Sequence, residues 1–261
     1  MVPAALPHTS ICLPIHDQDG RVLGRLLECI SQLPGLFQSA YLSLTPTTLS
    51  AHPGSVARLC ENGYFKVFTP KESDEVGAHF HAFYTWAVTQ MPAGSLVHLA
   101  FPDRLAFALL TEHAPAFCQE IASLRPSDTP LIYERSESAW QTHPANYREL
   151  EAMVVRAGEL LNGRRLDYAW CHMVVESSEL LRALAQTRQR TWAFVSELVL
   201  LLRPGVRARV VDWLAWEDAF ILGVEAETLK RQRENDPQET RKRMAYVGQM
   251  LQFLGTADFT D

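Results

Sequence analysis

Apolar and polar residues along the chain alternate between two periods. Short apolar runs at Ile11–Ile15, Ala40–Leu44, Phe65–Phe68 and Leu96–Ala100 have strand length. The segments between them, Arg21–Gln32, Val56–Asn62 and Val76–Gln90, carry helical spacing, with Asn62-Gly63 as the stop of the second. Strand-like runs interleaved with helical ones predict a mainly parallel sheet covered by helices, so the expected class is α/β. Beyond residue 103 helical patterns dominate. Arg104–Ser123 is expected to break at Pro115, Leu131–Glu134 reads as a short strand, and Pro144–Asn162 as a long helix stopped at Asn162-Gly163. Ser178–Gln189 and Ala193–Leu202 read as helices and Ala208–Val211 as a strand. Glu225–Glu234 and Pro237–Leu254 are the closing helices.

With 261 residues, 47% of them hydrophobic, the chain can bury a full core as one large domain with a helical carboxyl-terminal part. A net charge of −6 argues against a general nucleic-acid binder and favours small molecules or proteins as partners. The five cysteines are odd in number and contain no Cys-x-x-Cys pair, which suits reduced, mostly buried thiols and a cytoplasmic location. Residues 1–8 have neither the basic region nor the apolar core of a secretory signal, and no apolar stretch is long enough to span a bilayer.

The most informative chemistry lies in Val97–Arg104. An apolar run there ends in Asp103 and passes straight into a helix. A carboxylate at the carboxyl end of a buried strand stands where open α/β sheets bind ligands. The alternative is that Asp103 merely caps a helix starting at Arg104. Other constellations are weaker. His79 and His81 are two apart, which on a helix points them to nearly opposite sides and disfavours a shared metal. Gly-x-Gly-x-x-Gly, Gly-Lys-Ser/Thr and Gly-x-Ser-x-Gly motifs are missing. The mixed charges from Lys230 to Arg243 read as a solvated helical face.

The order of Ile11–Asp17, Phe101–Arg104, Glu134–Pro144 and Val211–Asp218 resembles the nucleotide-diphospho-sugar transferases of the GT-A type, over most of the chain. The resemblance implies a GT-A-like domain with a nucleotide-binding half (1–103), an acceptor-side half (104–224) and carboxyl-terminal helices (225–261). It implies a glycosyltransferase that binds a nucleotide-sugar and passes the sugar to a small acceptor. It also implies that Pro14, His16 and Asp17 lie near the nucleoside, and that Asp103 stands in the Asp-x-Asp element that holds Mg²⁺ or Mn²⁺. The first aspartate of that element is Phe101 here, and a hard cation prefers several oxygen ligands. Arg104 can pair with a phosphate through its planar fork, or equally is a surface or ion-paired arginine at a helix start. Arg135, Thr142 and His143 fall on the acceptor side, where a histidine before Pro144 also reads as a capping or turn residue. Glu217 is the candidate general base or second metal-facing carboxylate, with Trp213 and Trp216 as surfaces for a sugar ring, although packing and capping also explain this run. The rival reading is an inactive GT-A-like binding or scaffolding protein.

Overall fold

The computed structural model describes residues 9–61, 63–70 and 75–257. Seven strands form one sheet: β1 (Thr9–Ile15), β2 (Ser39–Leu44), β3 (Phe65–Phe68), β4 (Leu96–Ala100), β5 (Leu131–Arg135), β6 (His172–Glu176) and β7 (Arg207–Val211). Their order is β3-β2-β1-β4-β6-β5-β7. All neighbours pair in parallel except β6, which runs antiparallel to both β4 and β5. The expected mostly parallel sheet is therefore present, with one reversed strand that the apolar pattern did not reveal. His172-Met173-Val174-Val175 is short, has no Gly or Pro at either end, and leads directly into the helix Ser177–Leu184.

The strands read as continuous apolar runs because both faces of the sheet are covered. On one face Cys12, Tyr41, Val97, Leu99, Met173 and Val175 pack with residues of the helices Val76–Thr89, Ala193–Leu202 and Pro237–Thr256. On the other, Ile11, Leu13, Leu42, Ala100, Leu131 and Val174 pack with residues of Arg21–Cys29, Pro102–Leu110 and Ala114–Ser123. All five cysteines are unpaired, and Cys12, Cys29 and Cys171 are buried.

Several boundaries shift for local reasons. The helix expected from Arg104 to Ser123 is two helices, divided at Thr111–His113 and not at Pro115 itself. A proline ring clashes with the carbonyl four residues before it, here that of Thr111, so the chain breaks upstream and Pro115 enters the first turn of the next helix. The helix expected over Ser178–Gln189 stops at Leu184. The Glu197 carboxylate accepts the Arg188 and Gln189 N–H groups and so holds that segment out of the helix. Gly163, at φ 65°, ends the long helix Ala145–Asn162 as expected. The Asn62 part of the earlier stop, like residues 1–8, lies outside the described residues. No helix among the described residues is long and apolar enough to cross a membrane.

Candidate active site

The strand order reverses between β1 and β4, since β2 and β3 lie to one side of β1 and the later strands lie beyond β4. The chain segments leaving the carboxyl ends of these two strands diverge, and a crevice opens between them, as is general for such sheets. A cavity of about 700 Å³ occupies this place, lined by Pro14, Ile15 and His16 at the end of β1, Thr45, Pro46 and Thr47 after β2, and Phe101, Pro102 and Asp103 after β4. His79 and Phe80 from the helix Val76–Thr89, together with Trp192, close its side. Phe101, Asp103 and Trp192 also line a second cavity of about 310 Å³. The second cavity is bounded by Arg104, Glu217 and Asp218 and by Arg233, Lys242 and Arg243 of the last two helices.

Asp103 therefore stands where the two cavities meet. It is the second residue of the helix Pro102–Leu110, whose amino-terminal cap is Phe101, and its Oδ1 accepts the Arg104 N–H at 2.8 Å. Burial pushes its carboxyl above the ordinary range, while the Arg104 guanidinium and N–H pull the other way. Arg104 Nη1 lies 2.9 Å from Glu217 Oε2, in a contact of opposite charges with side chains 13% and 5% exposed. Neither atom makes a hydrogen bond. Burial pushes Glu217 up to about 8; Arg104 opposes this, and Asp103 and Asp218 add to it.

The remaining expected site residues are distributed differently. Pro14 and His16 line the larger cavity, and His16 Nδ1 is 3.1 Å from Thr45 Oγ1. Asp17 is buried just behind them, where its carboxylate accepts the Gly20 and Leu23 N–H groups (3.0 and 2.8 Å) and fixes the entry to the helix Arg21–Cys29. Arg135, Thr142, His143 and Trp216 line neither cavity. Arg135 is held by Glu151 (2.6 Å) and Asp167 (3.2 Å) and lies over the Trp140 ring. Burial works against the Glu151 carboxylate, yet Arg135 and Arg243 hold it down at about 2. Thr142 Oγ1 accepts the Trp216 N–H at 2.7 Å, tying the helix Glu137–Thr142 to the segment after β7. His143 is buried with Nδ1 2.9 Å from the Ala139 carbonyl oxygen, and burial together with Arg135 and Arg104 holds it neutral. Trp216 packs with Ala219 and Leu229. Trp213, considered as a sugar platform, is enclosed in the core against Tyr133, Phe117 and His172.

His79 was set aside as a metal ligand, and it does point away from His81. His79 Nε2 is 2.6 Å from Ser43 Oγ, whereas His81 Nε2 is 3.1 Å from the Leu184 carbonyl oxygen. As a lining residue His79 gave no sequence signal. Arg233 and Arg243 belong to the run read as a solvated face, but both reach the smaller cavity through ion pairs, Arg233 with Glu239 at 2.5 Å and Arg243 with Glu151 at 2.9 Å. Arg243, Tyr246, Val247 and Met250 all line that cavity, and their i, i+3, i+4, i+7 spacing is the signal that marks them as one inward helix face.

The residues do not fit a divalent cation. Phe101, which the resemblance sets in the place of the first carboxylate, stacks its ring on Trp170 with centroids 5.8 Å apart and planes at 9°. Among the described residues no group of three or more His, Cys, Asp or Glu side chains gathers to hold a metal ion. Asp103 is a single carboxylate with one oxygen already accepting the Arg104 N–H, which leaves little of it for a hard cation.

No protein-family model matches the chain, and no curated protein matches it in sequence. Solved structures do. Glucosyl-3-phosphoglycerate synthase from Mycobacterium tuberculosis, in complex with Mn²⁺, uridine-diphosphate-glucose and phosphoglyceric acid, is similar at a TM-score of 0.55, over 96% of this chain and 80% of that one, with 12% identity. A mycobacterial protein gives a TM-score of 0.56 over 96% and 75%, also at 12% identity. The same synthase in complex with uridine-diphosphate gives 0.53 over 96% and 81%, at 11% identity. At such identity the likeness is one of architecture, and the chain accordingly has a GT-A-like fold: a mostly parallel seven-stranded sheet flanked by helices, with its crevice at the carboxyl ends of β1 and β4.

Proposed function

We propose that the protein binds a nucleotide-diphospho-sugar across the two cavities and transfers the sugar to a small hydroxylated acceptor. The observation that carries this reading is the meeting, at Asp103, of a crevice with no Lys or Arg among its described lining residues and a smaller cavity that holds four of them. An uncharged nucleoside suits the first, between Pro14, His16, Thr45 and His79. Phosphates suit the junction, and sugar and acceptor the second cavity. The uridine-diphosphate-glucose named with the similar synthase supports a donor of this class. The division follows the chain: residues 1–103 supply most of the nucleotide side, 104–224 the acceptor side, and 225–261 the helices that close the second cavity. Unpaired cysteines support a cytoplasmic setting.

Glu217 is the group assigned to the proton. As the acceptor oxygen bonds to the anomeric carbon and the bond to the diphosphate breaks, the hydroxyl proton passes to Glu217, whose raised pKa suits a base working near neutrality. No step depends on a metal. Calorimetric titration with uridine- and guanosine-diphosphate sugars is expected to show saturable binding, and absence of binding to every donor overturns the proposal. Phe101 in the place of a carboxylate, and Glu217 in contact with Arg104, favour a second reading in which the fold binds the donor without turnover. Donor binding with no sugar released or transferred to any acceptor would select it.

A further inference from the structure

Of two arginines near Glu151 and Glu217, Arg135 is buried and Arg104 partly buried, and the fold treats them differently. Arg135 donates Nη1 to Glu151 and Nη2 to Asp167 and lays its guanidinium plane on Trp140, leaving only Nε without a hydrogen bond. The Arg104 side chain donates no hydrogen bond to any described residue: its Nη1 meets only the charge of Glu217, at 2.9 Å, and is buried without a hydrogen bond. It nevertheless forms part of the wall of the smaller cavity, one residue beyond Asp103 at the junction. A guanidinium carries five N–H donors in a fixed fork that matches two oxygens of a phosphate, and leaving such charged donors unmet inside a protein is costly.

The other cations of the cavity are also ion-paired or lie at its rim. Arg243 pairs with Glu151, and Arg233 with Glu239. Lys242 is exposed at the rim. Asp103 has one oxygen tied to the Arg104 N–H, and the ring of Phe101 fills the place where a second carboxylate would face a cation. The similar synthase is named with Mn²⁺, but the donor set here does not fit one.

Resting on the nucleotide-sugar reading above, we infer that Arg104 holds the donor's diphosphate in place of a divalent cation, so that nucleotide binding by this chain is independent of metal. The guanidinium exchanges its unbonded contact with Glu217 for phosphate oxygens, and Glu217 is left facing the acceptor. One positive charge fixed by the fold then does the neutralising that a bound cation does where carboxylates are present.

The test is titration of the full chain with uridine diphosphate in EDTA and in Mn²⁺, with uridine followed in parallel by saturation-transfer NMR. The dissociation constant for the diphosphate is expected to agree within about twofold in the two buffers. Arg104→Met is expected to weaken diphosphate binding by about tenfold or more, the worth of charged hydrogen bonds, while uridine binds as before. Retained uridine binding also shows that the variant folds. Should Arg104→Met fail to fold around a stranded Glu217 carboxylate, the double variant Arg104→Met/Glu217→Gln removes both charges. Arg104→Lys, a point charge without the fork, is expected to fall between wild type and Arg104→Met. Binding that requires Mn²⁺, or that Arg104→Met leaves unchanged, overturns the inference and leaves the nucleotide-sugar reading standing. Binding of neither uridine nor its diphosphate removes that reading, and the inference with it.

Discussion

At Glu217, burial and function make opposite demands on one carboxyl group. A buried carboxylate is stable only beside a counter-charge, and Arg104 supplies it at 2.9 Å; a base must be free to take a proton. Glu217→Gln keeps the shape and removes the proton acceptor. Sugar transfer is expected to fall by about 10² or more, the usual worth of a positioned base, with donor affinity nearly unchanged. Steady-state kinetics against donor titration checks this, and a parallel fall in affinity would show that Glu217 serves binding instead. That Asp103, Arg104 and Glu217 lie together on a cavity wall was legible in sequence as far as strand-end and helix-start patterns place them. Arg135 and His143 were not so legible. The carboxylates that engage Arg135 are 16 and 32 residues away along the chain, so the same basic residue reads as a ligand group in sequence and as a packed ion pair in the fold.

Among the elements, those with one dominant signal were readable. Phe65–Phe68, Leu96–Ala100 and Ala193–Leu202 fall where their apolar runs place them. Elements set by tertiary contact were not: β6 becomes a strand by pairing with β4 and β5, and the short helix Glu137–Thr142 is tied down by the Trp216 N–H. One close approach between elements bears on the site. Gly77, in the first turn of the helix Val76–Thr89, lies against the backbone at 190–191, so that a Cβ there would sit 2.3 Å from the Thr191 carbonyl oxygen. Backbone cannot rotate aside as a side chain does. Gly77→Ala is expected to cost about 1–3 kcal/mol through overpacking. Because the next residue, Trp192, lines both cavities, donor affinity is expected to fall as well. Urea unfolding beside donor titration measures both, and unchanged values in each would show that the segment yields freely.

For the whole molecule, the reversal of β6 has a consequence that no single element contains. It brings His172 across from β4, where His98 Nε2 and His172 Nδ1 meet at 2.9 Å with both residues fully buried. Phe37, Phe117, Tyr133 and Trp213 pack their rings against the pair, and His98 Nδ1 and His172 Nε2 are buried without a hydrogen bond. Burial pushes His98 down to about 3 and, with His98 and Arg104 adding to it, pushes His172 well below the ordinary histidine range. The folded pair therefore stays neutral where the unfolded chain takes up protons. The sign follows: its contribution to stability is complete above about pH 6.5 and is lost as pH falls from there toward the folded values, at about 1.4 kcal/mol per pH unit for each histidine. Replacing both partners by apolar groups leaves no polar atom unpaired, so His98→Leu/His172→Leu is the informative variant. Between pH 6 and 4 its unfolding free energy, from urea denaturation, is expected to fall with acid less steeply than that of the native chain, by up to about 2.7 kcal/mol per pH unit. Equal slopes would mean that the pair is protonated in the folded protein, and that the junction of β4 with β6 opens to water well before the sheet unfolds.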